Sequence, residues 1–331
     1  MGITRMSISS SFPDSSLRVY VAGHRGMVGS AIVRCLERQG FSNIVTRARP
    51  ELDLTDQNAV MRFFEQERPH WVFLAAAKVG GILANQSRPA EFISENLSIQ
   101  TNVIQSARLC GVKRMMFLGS SCIYPRDCPQ PIKEEYMMTG PLEPTNRPYA
   151  IAKLAGIEMC WAFNRQYGTD YIAVMPTNLY GPNDNYDVTN SHVLPALIGK
   201  MHKAKIEGRT SVEVWGTGNV RREFLHADDM ASASLFLMKL PSQTFGQIAH
   251  SETEAPILNV GCGSDLTIRE LAGLIQEVVQ FRGELMFDRT KPDGTPRKLL
   301  DVSKLKKLGW KPEIDLRQGL QSVYRDFLSK E

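Results

Sequence analysis

Tyr149 and Lys153 stand four residues apart in Tyr149-Ala150-Ile151-Ala152-Lys153, a spacing that puts both side chains on one face of a helix. A phenol beside an ammonium is a proton donor to a carbonyl that is being reduced, and the positive charge is expected to lower the phenol pKa. Alone the pair is a common accident, because a tyrosine often packs with its hydroxyl at a rim while a lysine faces water. Two further features precede it in the order this chemistry needs. Gly23-His24-Arg25-Gly26-Met27-Val28-Gly29 is a G-x-x-G-x-x-G turn, in which Gly23 permits the turn, Gly26 lets backbone approach a pyrophosphate and Gly29 allows close helix–sheet packing. Ser120 and Ser121 supply hydroxyls to hold the carbonyl oxygen.

The glycine turn points to a dinucleotide, and the residues after the second strand say which. An NAD site places an acidic residue there for the ribose 2′-hydroxyl. This chain has Arg47 and Arg49, with Arg25 inside the turn, and its acidic residues come later, at Glu51 and Asp53. Guanidinium groups suit a 2′-phosphate, so the expected cofactor is NADPH/NADP+.

These side chains need a scaffold that brings them together. Leu17–Ala22 reads as a buried strand, Val28–Gln39 as a helix closed by Gly40, Asn43–Arg47 as a strand and Ala59–Glu67 as a helix. Trp71–Ala77 is apolar throughout, as in a strand covered on both faces. Glu91–Leu109 reads as a helix, Arg114–Leu118 as a strand ending in Gly119-Ser120-Ser121, Tyr149–Tyr167 as a long helix and Tyr171–Met175 as the next strand. Such alternation predicts an α/β fold, a Rossmann-type doubly wound parallel sheet. After Pro176 the rhythm breaks. The expected organisation is a disordered leader over 1–16, a dinucleotide-binding lobe over 17–176 to which some later elements return, and a smaller mixed lobe over 177–331 for the substrate.

With 331 residues, two lobes are the expectation. A net charge of +4 with scattered basic residues gives no nucleic-acid footprint. Cys35, Cys110, Cys122, Cys128, Cys160 and Cys262 form no C-x-x-C pair, which argues against a zinc knuckle or disulfide framework, so no metal is expected and the compartment is expected to be reducing. The Ser-rich start lacks an apolar secretory core, Met6 stands where a myristoylation signal needs Ser or Thr, and no apolar run reaches membrane-spanning length. The expectation is a cytoplasmic protein.

The chain resembles the extended short-chain dehydrogenases/reductases and, within them, the GDP-L-fucose synthase family. The resemblance is carried by AGHRGMVGSA (22–31), LAAAKVGGI (74–82), FLGSSCIYP (117–125), EPTNRPYAIAK (143–153), MPTNLYGPNDN (175–185), NSHVLPAL (190–197), WGTG (215–218), REFLHADDMA (222–231) and KPDGTPRKLLD (291–301). It implies a GDP-linked substrate, GDP-4-keto-6-deoxy-D-mannose, epimerised at C3 and C5 and then reduced at C4 by NADPH. In that reading Ser120, Tyr149 and Lys153 hold and reduce the ketone, Cys122 is the base and His192 the acid of the epimerisation. Which of the two plays which part is not decided by the residues themselves. Asp53, Leu54, Leu118, Gly119, Ser121, Pro176, Thr177, Asn178 and Leu179 would line the cofactor, and Lys200, Trp215, Arg222 and Asp293 the GDP-sugar. The family also implies a homodimer, through helices on one side of the cofactor lobe.

The chain departs from the family's pattern in three places. Residues 185–190 replace a usual phenylalanine, histidine and proline just before His192. Arg147 stands where Glu is common, and Lys200 keeps the charge of an arginine without its fork. Two rival readings are an NAD-retaining nucleotide-sugar 4-epimerase or 4,6-dehydratase and a non-enzymatic NADP sensor. Cys122, His192 and the arginine-rich second strand weigh against the first; the joint presence of Ser120, Tyr149 and Lys153 weighs against the second.

Overall fold

The computed structural model describes residues 15–186, 191–291 and 293–330. Most of the expected leader, and residues 187–190 of the divergent stretch, lie outside the described residues.

The first half alternates as β1 (Val19–Ala22), α1 (Met27–Arg38), β2 (Ile44–Val45), α2 (Gln57–Glu67), β3 (Trp71–Leu74), α3 (Ile82–Ser87), α4 (Pro89–Leu109), β4 (Arg114–Leu118), α5 (Arg147–Tyr167) and β5 (Asp170–Pro176). Local chemistry sets several of these limits. Asp56 caps α2 by accepting the Ala59 N–H at 3.0 Å, and Gly168, in the left-handed region, ends α5. The expected strand Trp71–Ala77 stops at Leu74 because Ala75–Ala77 leave the sheet to line a cleft. Helix α3, which begins at the last residue of the quoted LAAAKVGGI, is too short for a periodic pattern to announce it.

The second half contains β6 (Asn178–Tyr180), α6 (Val193–Ile206), β7 (Ser211–Trp215), β8 (Arg221–Arg222), β9 (Phe224–His226), α7 (Ala227–Met238), α8 (Ser242–Ala249), β10 (Ile257–Val260), β11 (Leu266–Thr267), α9 (Ile268–Val279), β12 (Glu284–Asp288), β13 (Arg297–Lys298), α10 (Ser303–Leu308) and α11 (Leu316–Leu328). The main sheet is parallel, in the order β2-β1-β3-β4-β5-β10, and bears out the expected doubly wound α/β fold. Apolar clusters cover both faces, one with α1 and α7 and the other with α4 and α5, so β1, β3, β4 and β10 are buried at every residue.

A third cluster joins α6, α9 and α11 through Leu197, Met201, Leu271, Ile275, Leu320 and Val323. Around it lie the pairs β7–β12 and β6–β9 and the small sheet β11-β8-β13. Strand order reverses at β1 and β3, and there, outside the carboxyl ends of the strands, such sheets hold ligands.

Candidate active site

The loops after β1, β3, β4 and β5 surround one cleft of about 570 Å³. The glycine turn forms one end. Gly23 has φ +85°, and a side chain there would meet the Ala76 backbone nitrogen at 2.7 Å. A Cβ on Gly29 would sit inside the Gly23 carbonyl oxygen. Helix α1 therefore starts tight against the turn, at Gly26, with no side-chain cap and no acidic residue in its first turn. Its N-terminal N–H groups are left for an anion, so this end fits the pyrophosphate of a dinucleotide. Gly26, Met27 and Val28 line the cleft, whereas His24 and Arg25 are not part of its wall.

Arg47, Arg49, Asp53 and Leu54 line the same end, yet the two arginines are held differently. Arg47 donates to Glu67 Oε1 at 2.6 Å and lies over the Phe63 ring at 5.5 Å. Arg49 is 72% exposed, and among the described residues its ion-pair partners are Asp53 and Glu95, at 3.7 and 3.9 Å. Arg49 is the freer guanidinium for a phosphate. Lys78, which the sequence reading did not single out, stands on the cleft wall with Nζ between Glu91 and Glu95.

At the other end the strand-end serines meet α5. Ser120 lines the cleft with Tyr149, and its hydroxyl accepts the Cys122 N–H at 3.2 Å. Lys153 is 3% exposed; its Nζ donates to the Leu118 carbonyl at 2.6 Å and lies 5.8 Å from the Tyr149 ring centre. Burial raises the Tyr149 phenol above its usual pKa, helped by the nearby Cys122 and opposed by the Ser120 hydroxyl. Burial pushes Lys153 down to about 7. The expected lowering of the phenol by Lys153 is thus corrected for the protein groups alone: desolvation is the larger effect, and the ammonium spends its bond on a carbonyl.

Cys122 Sγ accepts from Asn146 Nδ2 at 3.1 Å and faces Lys298 Nζ at 3.9 Å. His192, at the start of α6, reaches the same cleft; its ring is open to the cleft, yet desolvation holds its pKa below the usual histidine value. Leu118, Gly119, Ser121, Pro176, Thr177, Asn178 and Leu179 complete the lining. Thr177 and Asn178 are fixed by hydrogen bonds to the Glu223 carbonyl, at 3.1 and 2.9 Å. Lys298 is the residue sequence reasoning missed here. It lies within the quoted KPDGTPRKLLD, but no spacing relates it to a cysteine 176 residues earlier; only the folded chain brings the two together.

Lys200, Trp215, Arg222 and Asp293 lie outside the cleft lining and form two small groups beside it. Lys200 and Lys291 place Nζ 5.0 and 5.5 Å from the half-exposed Trp215 ring centre. Asp293 accepts the N–H and hydroxyl of Thr217 at 2.7 and 2.8 Å. Arg222 donates to the Thr295 carbonyl at 2.7 Å; burial lowers its pKa, against the pull of Asp293. Arg222 is the register partner of Lys298 on β8 and β13, so a single pair of strands ties this region to Cys122.

A glycine turn, a parallel sheet and a Ser-Tyr-Lys group in one cleft define a nicotinamide-dependent carbonyl enzyme of the extended type. Residues 19–249 match the NAD dependent epimerase/dehydratase family, and the chain belongs to it. Within that family it is 56% identical to GDP-L-fucose synthase 1 of Arabidopsis thaliana, over 96% of this chain and 95% of that one. It is 53% identical to the GDP-L-fucose synthase of Escherichia coli K12, over 96% and 98%. Among solved structures it is similar to a GDP-D-glycero-L-gluco-heptose synthase from Campylobacter jejuni determined in the presence of NADPH, with a TM-score of 0.88, 38% identity and coverage of 95% and 99%. The family resemblance read from the motifs is borne out.

Proposed function

We propose that this chain converts GDP-4-keto-6-deoxy-D-mannose to GDP-L-fucose with NADPH, inverting C3 and C5 and then reducing C4, as a homodimer in the cytoplasm. The observation that carries this reading is that one cleft holds both a carbonyl-binding group, Ser120 and Tyr149 with Lys153, and a second proton-transfer set, Cys122 with Lys298 and His192. A simple reductase needs only the first.

Ser120 and Tyr149 hydrogen-bond the C4 ketone oxygen and draw electron density from it, which makes the protons at C3 and C5 acidic. Cys122 Sγ takes such a proton as a thiolate, with Lys298 Nζ 3.9 Å away. His192 returns a proton to the opposite face of the same carbon, so that the centre inverts. When bound, a nicotinamide dinucleotide held by the glycine turn and the α1 N-terminus would supply the hydride for C4. Tyr149 gives its phenolic proton to the C4 oxygen as that charge develops. Arg49 holds the 2′-phosphate, while Lys200, Trp215 and Arg222 hold the GDP end, two by charge and one by its flat ring. A cytoplasmic setting is supported by six free cysteines, and among the described residues no helix is long and apolar enough to cross a membrane.

The test is turnover in deuterated water with the GDP-linked keto sugar and NADPH. Stoichiometric loss of NADPH and GDP-L-fucose carrying deuterium at C3 and C5 are expected. Absence of NADPH oxidation sinks the assignment; reduction without deuterium incorporation removes its epimerase half.

A further inference from the structure

Asn259, on β10, is fully buried, and its amide bonds run to three separate stretches of chain. Its Oδ1 accepts the Tyr124 hydroxyl at 2.6 Å, and its Nδ2 donates to the carbonyls of Ile132 and Asp301 at 2.8 and 3.1 Å. Its own N–H is held by the buried Glu134 at 2.9 Å. Both amide protons are thereby used, and no apolar side chain could replace the amide without leaving buried polar groups unpaired.

The stretches so joined are those that carry Cys122 and Lys298. Tyr124 follows the short helical turn Ser121–Ile123 that contains Cys122. Asp301 follows β13, and the chain between them is strapped down: Ile132 N–H donates to the Leu299 carbonyl and Asp301 N–H to the Ile132 carbonyl, both at 2.8 Å. The buried Glu223 carboxylate holds the Leu300 N–H at 3.0 Å from the other side. With its backbone fixed at Leu299, Leu300 and Asp301, Lys298 has only its side chain free to move relative to Cys122.

We propose that Asn259 is a positioning residue for proton abstraction: it fixes the approach of Lys298 to Cys122 and thereby the reactivity of that thiol. The proposal rests on reading Cys122 as the base, but its test needs no sugar. Iodoacetamide alkylation of Cys122 at neutral pH, followed by peptide mass spectrometry, reports thiolate reactivity in the full chain, and NADPH binding reports the fold. Asn259→Ser is expected to slow Cys122 alkylation about fivefold while NADPH binding persists, and Lys298→Gln to slow it as much. Because Asn259 acts through Lys298, the double variant is expected to be no slower than Lys298→Gln alone. Alkylation of Asn259→Ser at the wild-type rate or faster, or a double variant slowed by the product of the two effects, overturns the proposal. If Asn259→Ser loses NADPH binding, Tyr124→Phe, which removes one hydroxyl from the same network, is read in the same way. Failure of turnover alongside the expected alkylation pattern would sink the assigned reaction and leave the positioning role in place.

Discussion

Lys153 is nearly shut off from solvent, with its Nζ against the Leu118 carbonyl and the Phe117 ring. Its pKa falls from 10.5 to about 7 because burial penalises the ammonium. Between those two values the unfolded chain binds more protons than the folded one, so this group adds stability as pH rises. In the protein without dinucleotide, the stability of wild type relative to Lys153→Met is expected to rise from pH 7 to pH 10, by on the order of 3 kcal/mol. Urea melts at the two pH values check this, and a constant difference would show that Lys153 is not depressed. The two arginines make a second case. Arg49→Ala is expected to weaken NADPH binding about tenfold and NADH binding little, whereas Arg47→Ala acts mainly through its lost pairing with Glu67. Equal loss of NADPH and NADH in Arg49→Ala would end its role as the phosphate reader. At this scale the sequence was informative wherever spacing or residue type implied chemistry: Ser120, Cys122, Tyr149 and His192 all reach one cleft. It was silent on Lys298 and Lys78, whose partners are brought to them only by the folded chain, and it misjudged the Tyr149 phenol because desolvation is invisible in a linear motif.

Helix α1 shows how an element constrains its residues. Its first turn packs so closely on the glycine turn that any side chain at position 29 collides with the Gly23 carbonyl. Gly29→Ala is therefore expected to destabilise the protein by at least ~2 kcal/mol and to abolish dinucleotide binding by pushing the α1 N-terminus off the sheet. A thermal melt and an NADPH titration measure both, and a variant that binds NADPH normally would refute the packing argument. The elements of the first half were legible because apolar runs alternate there with long helical stretches. Those of the second half were not, since β8 is Arg221–Arg222 and β13 is Arg297–Lys298. A charged two-residue strand has no apolar period to read; it exists only through its neighbours.

For the molecule as a whole, helices α4 and α5 lie side by side, Gln100 donating to the Ala152 carbonyl at 2.7 Å. Their outer face leaves Leu109 57% and Tyr167 45% exposed, which is where a second copy would gain by covering apolar surface. Size-exclusion chromatography with light scattering is expected to give twice the chain mass, and Leu109→Asp combined with Tyr167→Ser to give one chain mass. A wild-type protein at one chain mass would remove the homodimer.

Strand β10 and helix α7 come late in the chain, yet they cover the β5 edge and the α1 side of the main sheet. When the ribosome has released Pro176, it has already made the glycine turn, both serines, the tyrosine and the lysine, but β5 still has a bare edge. That edge waits through the synthesis of every residue up to Ile257, the interval in which a nascent strand is most open to the wrong partner. The same order of manufacture limits how such genes recombine: an exchange that carries the nucleotide end from one relative to another keeps its sheet intact only if it also carries the chain as far as Val260.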